Sequence, residues 1–264
     1  MKTCLGVQTG CVARGFCRAF LGLVALALPL SAAAAPAAKD GDGTLSVAPA
    51  TVAAASADIR LEFQFRNLNR GPFNAGSQLE LTVPAGWPAP QAADPAAPGY
   101  VEVVSTAGTA AAAVSSVSGS GPWQVAVDFT AAKGTANGFG LAYGGAAAPA
   151  ATGTQTFAAR TRQAGGAFVA LGASPAVAVV PSQAGVTLGN LLQDYDGTPR
   201  AVSVQTEPAG LAVAVTYAGQ PDAPIATGIY AVVATVVAPG YEGSAADTLV
   251  VREAGSGEPT LGLE

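Results

Sequence analysis

The chain has 264 residues, with 12 Lys or Arg, 17 Asp or Glu and no His, a formal net charge of −5. Only 11% of its residues are charged, against about 25% in an ordinary globular domain. An acidic chain of this kind has no electrostatic reason to seek nucleic acid or anionic lipid, and the lack of histidine excludes Ser-His-Asp triads, Cys-His pairs and histidine-ligated metals.

Lys2, Arg14 and Arg18 accompany an apolar run over 20–30 (FLGLVALALPL), and Ala32-Ala33-Ala34 supplies small residues behind it. This is the plan of a secretory signal peptide. The run is shorter than the roughly 20 residues a membrane span needs, so we expect residues 1–35 to be cleaved and the mature chain not to insert into a membrane. Removing those three basic residues takes the net charge from −5 to −8. All three cysteines, Cys4, Cys11 and Cys17, lie in the leader. The exported product would therefore enter an oxidising compartment without disulfides, held by packing and strand pairing alone.

Residues 36–181 show a repeated period of two. Leu61, Phe63 and Phe65 alternate with Glu62 and Gln64; Leu79, Leu81 and Val83 alternate with Glu80 and Thr82. The run 123–129 (WQVAVDF) puts its large residues on one side, and Val101-Glu102-Val103 and 154–157 (TQTF) are shorter cases. Gly71-Pro72, Pro84-Ala85-Gly86, Pro98-Gly99 and 119–122 (GSGP) punctuate them. Such alternation between turn signals predicts half-buried antiparallel strands of a β-sandwich. Residues 107–113 are the one helix candidate, weakened by Gly108 and Thr109, and 134–140 (GTANGFG) reads as a hairpin rather than a phosphate loop because the G-K-[ST] ending is missing.

A second domain is expected over 182–252. Residues 211–217 (LAVAVTY) alternate in size, and 229–237 (IYAVVATVV) is apolar on both faces, which predicts the central strand. Thr248-Leu249-Val250-Val251 forms a last strand, and Asp196-Gly197 within Tyr195-Asp196-Gly197-Thr198-Pro199 supplies the positive φ of a tight turn. Residues 253–264 are polar and Gly-rich, and we expect a disordered tail.

These motifs carry a family resemblance. The Y-D-G-T-P turn, the G-L-x-V-x-V-x-Y strand and the Y-x-G-S-A-x-x-T-L-V-V ending, through Tyr195, Asp196, Gly197, Gly210, Tyr217, Pro224, Gly228, Tyr230, Tyr241 and Gly243, resemble the MBG module over about 186–251. Ala226-Thr227 departs mildly from the family's usual residues before the glycine of its fourth element. The family is Ig-like and occurs in bacterial secreted and surface proteins, so the resemblance implies a spacer or adhesion module and no reaction. The opening Gly43-Thr44-Leu45-Ser46-Val47-Ala48-Pro49 and the corner 83–90 (VPAGWPAP) resemble Ig-like domains of bacterial surface proteins more weakly.

The remaining candidates for chemistry are few. Asp40-Gly41-Asp42-Gly43 has the start of a calcium loop, but Thr51 stands where an acid is needed, and a flexible junction is the plainer reading. Asp194 and Asp196 could share a cation; Asp196 before Gly197 already serves as a turn residue. Arg60, Arg66 and Arg70 read as a solvated edge or, more sharply, an anion site. Tyr195, Tyr217, Tyr230 and Tyr241 read as parts of the module's frame, with Tyr230 placed like an Ig-type corner tyrosine whose hydroxyl bonds nearby backbone. Trp87, Tyr100 and Trp123 are the candidate ligand-facing aromatics, although Trp87 reads first as a cap on the end of a sandwich core, since large aromatics mostly bury their area.

The sequence thus predicts an all-β protein, two Ig-like antiparallel β-sandwich domains after a cleaved signal peptide. It predicts no cofactor and no enzyme, a secreted or cell-surface location, and a protein or glycan at the cell surface as partner. A structural or adhesion module is the leading function; a carbohydrate-binding module and a truncated copy of a larger adhesin are the alternatives.

Overall fold

The computed structural model describes residues 39–68 and 71–255. The expected leader (1–35) and most of the expected tail (253–264) lie outside the described residues. Among the described residues every regular element is a strand, so no helix is long and apolar enough to cross a membrane.

The first block contains β1 (Thr44–Ala48), β2 (Thr51–Ala53), β3 (Ile59–Arg66), β4 (Phe73–Val83), β5 (Tyr100–Ala107), β6 (Ala111–Gly119), β7 (Trp123–Ala131), β8 (Gly138–Ala146), β9 (Gly153–Thr156), β10 (Ala159–Arg162), β11 (Val169–Ala170) and β12 (Ala176–Val180). One sheet has the order β1-β3-β8-β5 and a second the order β11-β10-β4-β7-β6. A third, β2-β12-β9, contains a parallel pair, β2 with β12.

The alternation read from the sequence is what closes this sandwich. Leu61, Phe63 and Phe65 on β3 and Leu79, Leu81 and Val83 on β4 are fully buried, and Val125, Val127 and Phe129 on β7 join them. Full burial of each such side chain contributes about 1.5–3 kcal/mol. Phe65 stands at the centre, with ring centroids 4.9 Å from Phe129, 5.2 Å from Phe139 and 6.2 Å from Phe73. Because β3 and β8 belong to one sheet and β4 and β7 to the other, these rings join the two layers. Strand β8 is buried on both faces because its outward side is small: Ala142 lies between Glu62 of β3 and Glu102 of β5 in the registers. Arg60 joins both glutamates at 3.3 Å.

Two readings are corrected here. Residues 108–110 turn between β5 and β6, so 107–113 is no helix. Residues 134–140 are not a hairpin either, because β7 and β8 lie in different sheets and this segment carries the chain from one to the other. Asn67, just after β3, ties the two connections together: its N–H donates to Asn137 O in the crossing (2.9 Å), and its buried Nδ2 donates to the carbonyls of Ala132 (2.8 Å) and Ala131 (3.3 Å) at the end of β7 and of Gly71 (3.1 Å) before β4.

The second block contains β13 (Ser182–Gln183), β14 (Gly185–Gly189), β15 (Leu192–Asp194), β16 (Ser203–Glu207), β17 (Val213–Tyr217), β18 (Gly228–Val236), β19 (Tyr241–Glu242) and β20 (Ser244–Arg252). A four-stranded sheet, β15-β20-β18-β17, faces the pair β14-β16, and β13 pairs with β19 in parallel. Strand β18 is interior to its sheet, as its composition predicted. Its inward residues Val232, Ala234 and Val236 are buried with Tyr217, Leu249 and Val251. Its outward residues are not covered: Ile229 is 76% exposed, so an apolar run on both faces did not mean burial on both.

The two blocks meet at the connection after β12. The hydroxyl of Ser182 donates to the carbonyl of Ala54 at 2.5 Å, and Ser182 N–H donates to Gly240 O at 2.8 Å. Gly240 has φ +80°, and a Cβ there would lie 2.6 Å from the carbonyl oxygen of Ala150, so only glycine fits this approach.

Candidate functional site

Trp87 does not face a ligand. It is 4% exposed and lies in the core, its ring 5.4 Å from that of Phe157 and 6.3 Å from that of Tyr143. The physical reason is the corner itself: the chain leaves β4 at Val83, and the large ring fills the end of the sandwich instead of standing in water. The favoured reading of Trp87 as a cap on the core holds, and its candidacy as a ligand-facing aromatic is corrected.

Above that cap the loop 88–99 is ordered by one side chain. Gln91 Oε1 accepts from the N–H groups of Ala93 (2.8 Å) and Asp94 (2.9 Å). Gln91 Nε2 donates to the carbonyls of Asp94 (2.8 Å) and Ala97 (3.3 Å). Its backbone is tied on both sides as well, to Gly99 O and from Val101 N. Tyr143 anchors the start of the loop, its hydroxyl donating to Pro88 O at 2.6 Å. Burial pushes the Tyr143 phenol well above the ordinary tyrosine range.

One wall of an open groove of about 490 Å³ is this loop, through Pro90, Gln91, Ala92 and Ala93. The facing wall is the end of the β6–β7 hairpin, through Val117, Ser118, Gly119 and Trp123. Trp123 opens β7, packs partly on the core and is half-buried. Tyr100, also half-buried, reaches the same loop through its bridge to Gln91 but does not line the groove. The structure thus brings Trp123 and Tyr100 to one loop and places Trp87 beneath it. The wall formed by Pro90, Gln91 and Val117 escaped the sequence reading; a lone glutamine in a run of Ala and Pro was the available signal. The lining offers an aromatic ring, aliphatic surface and amides, suited to stacking and hydrogen bonding.

The carboxylates serve the fold. Asp40 and Asp42 are buried, which corrects the flexible-junction reading. Asp40 accepts from Gln163 N (2.6 Å) and Ala167 N (2.9 Å), and Asp42 from Gly43 N (2.9 Å). Asp194 pairs with Arg252 at 2.6 Å, and Asp196 pairs with Arg200. Hydrogen bonds from the Thr198 hydroxyl (2.6 Å) and N–H (2.9 Å), with Arg200 in support, hold the Asp196 carboxyl below the usual range. Among the described residues no three His, Cys, Asp or Glu side chains are grouped to hold a metal.

Arg60 and Arg66 sit on β3, which is interior to its sheet, so the solvated-edge reading is corrected; Arg70 lies outside the described residues. Of the tyrosines, Tyr230 donates to Ala226 O at 3.0 Å, the corner geometry expected of it. Tyr217 is buried and its hydroxyl oxygen accepts from Val202 N at 3.1 Å. Tyr195 is exposed and lies beside Ile225, Thr227 and Glu253.

Residues 184–255 match the family model of the MBG domain. The match begins two residues before the resemblance read from the sequence and ends four residues after it, and it falls in the second block. No curated protein matches the chain. Among solved structures the chain is similar to an adhesin of Yersinia pseudotuberculosis, InvE, at 12% identity and a TM-score of 0.28, over 79% of this chain and 60% of that one. The chain therefore spans about three fifths of that adhesin's length.

Proposed function

We propose that the protein is a non-enzymatic, exported module protein of a bacterial cell surface. In this reading residues 36–181 and 182–252 are two β-sandwich domains, and their task is to space and present a binding surface. The observation that carries it is the MBG match over 184–255. A frame built from strand pairing, with no histidine in the chain and no cysteine beyond position 17, supports it. The test is to express the tagged full chain in a bacterial host and treat intact cells with protease. Surface exposure or recovery from the medium supports the reading; retention in the cytosol overturns it.

A second reading, glycan binding, is favoured by the groove at Trp123, because a half-buried indole beside an ordered amide-rich loop can stack on the apolar face of a sugar ring. Binding of the purified chain to a glycan array, lost in Trp123→Ala while the fold is kept, supports it. An array without hits, or hits unchanged in the variant, removes it and leaves the spacer role.

A further inference from the structure

The second block is an unequal sandwich: the sheet β15-β20-β18-β17 has four strands, and the sheet β14-β16 that faces it has two. The shortfall falls on β17. Its Val213 and Val215 stand opposite Val236 and Ala234 in the register, on the inner face of the sheet. Val236 and Ala234 are buried, whereas Val213 and Val215 are only half-buried. On β16 the inward Val204 and Thr206 are half-buried as well. Apolar inner surface left open to water marks an interaction site.

A slot of about 560 Å³ runs between β16 and β17. The two strands line it differently. Strand β17 contributes the alternate residues Val213 and Val215, so the slot looks onto its side-chain face. Strand β16 contributes the consecutive residues 204–207, whose side chains point to opposite faces, so the slot runs along its edge. That edge is unpaired: β16 bonds to β14 on one side, and among the described residues no strand pairs with its other side. Such an edge presents a row of N–H and C=O groups at strand spacing. The connection through Gly210 and Leu211 closes one end of the slot, fixed by Leu211 N–H donating to the Thr206 hydroxyl at 3.1 Å.

We propose that this slot takes an extended segment of a different polypeptide as a third strand beside β16. Backbone hydrogen bonding selects a strand, since an extended main chain is what matches the groups of the β16 edge along its length. One strand has the right width: set about 4.8 Å from β16, its inward side chains lie over Val213 and Val215. The segment is therefore apolar at alternate positions. Charge selects its source. Among the described residues the exposed Glu207 is the one charge lining the slot, and the whole chain carries a net charge of −5. A segment with Lys or Arg at its outward positions complements that edge, and an acidic second copy does not. The five residues of β16 set the length of the pairing. The proposal names a partner for the presenting role above and rests on that reading only for the setting in which the partner is met.

The test selects random linear peptides displayed on phage against the purified full chain, then titrates the enriched peptides by fluorescence anisotropy up to about 1 mM. The expected peptides have apolar residues at alternate positions and Lys or Arg between them. Glu207→Lys, at an exposed position, should weaken them at least about tenfold. Asp222→Lys, an equal charge change between β17 and β18, and Trp123→Ala in the first block should leave them unchanged. Methylating alternate backbone nitrogens of the peptide should abolish binding in one set and spare it in the other, because a strand turns every second N–H towards a given neighbour. The absence of enriched peptides, equal losses in the two methylated sets, or binding indifferent to Glu207→Lys overturns the proposal. Concentration-dependent dimers that Glu207→Lys removes also overturn it, by assigning the edge to a second copy. Protease access on intact cells is independent of all these results, so failure here is distinct from failure of the functional reading.

Discussion

The Tyr143 hydroxyl, carried by β8, donates to the carbonyl oxygen of Pro88 at 2.6 Å, so one buried phenol ties the wall of the groove to the centre of the first sheet. Tyr143→Phe removes that bond and leaves the carbonyl unpaired, at a cost of about 1–3 kcal/mol near neutral pH. The pH dependence has a definite sign. The folded phenol titrates above its unfolded value of about 10, so its contribution is complete below that pH and falls as pH rises past it. Chemical denaturation at neutral and alkaline pH should show a steeper alkaline loss in the wild type than in Tyr143→Phe. Parallel pH profiles would refute the assignment.

Two buried polar residues should respond in opposite directions. Ser77 is fully buried, and among the described residues its hydroxyl has no hydrogen-bond partner. Ser77→Ala should therefore be neutral or stabilising by up to about 1 kcal/mol, since an unpaired buried hydroxyl is costly. Asn67→Ala instead abandons three backbone carbonyls at the sheet-to-sheet crossing. It should cost about 1–3 kcal/mol. Urea midpoints of the two variants decide this, and a loss of stability in both would contradict the contrast.

The two tryptophans are separable by fluorescence. Trp123→Phe leaves Trp87 in the core, and its emission should be blue-shifted and weakly quenched by acrylamide. Trp87→Phe leaves the half-buried Trp123, whose quenching should be clearly stronger. Equal quenching in the two variants would mean that the groove is not open to solvent. Trp87→Ala, which empties the end of the sandwich, should cost about 3–5 kcal/mol.

Asp196 gives the second block an acid-sensitive turn. Thr198 and Arg200 favour its charged form, so its contribution is complete above the unfolded pKa of about 3.9 and is lost as pH falls through the lower folded value. Asp196→Asn should be less stable than wild type near pH 7, and the gap should narrow as pH falls below the unfolded value of about 3.9. A gap that stays constant with pH would show that the turn does not need the charge.

The sandwich was legible because its strands alternate in water-facing and core-facing residues: Leu61, Phe63 and Phe65 mark their buried face by spacing alone. The second block was legible through turns and tyrosines, and the family model recovers the same segment. The groove was half legible. Trp123 stood out by size, while Pro90 and Gln91 acquire meaning only when a loop far from β7 in sequence folds against it. Trp87 and Ile229 show the same limit from opposite sides. Neither the burial of an aromatic between prolines nor the exposure of an apolar strand face can be read from local period, because each depends on which layer the chain lays over it.

In both blocks a strand near the entrance lies parallel to the strand at the exit: Val52 opposite Val179 in the first, Leu192 opposite Val250 in the second. Pulling on the ends of such a pair slides the strands along their shared axis, so the bonds between them bear the load together instead of opening one after another. A load applied along the chain would fall on two such clasps in series, and their strength would come from the direction of the strands.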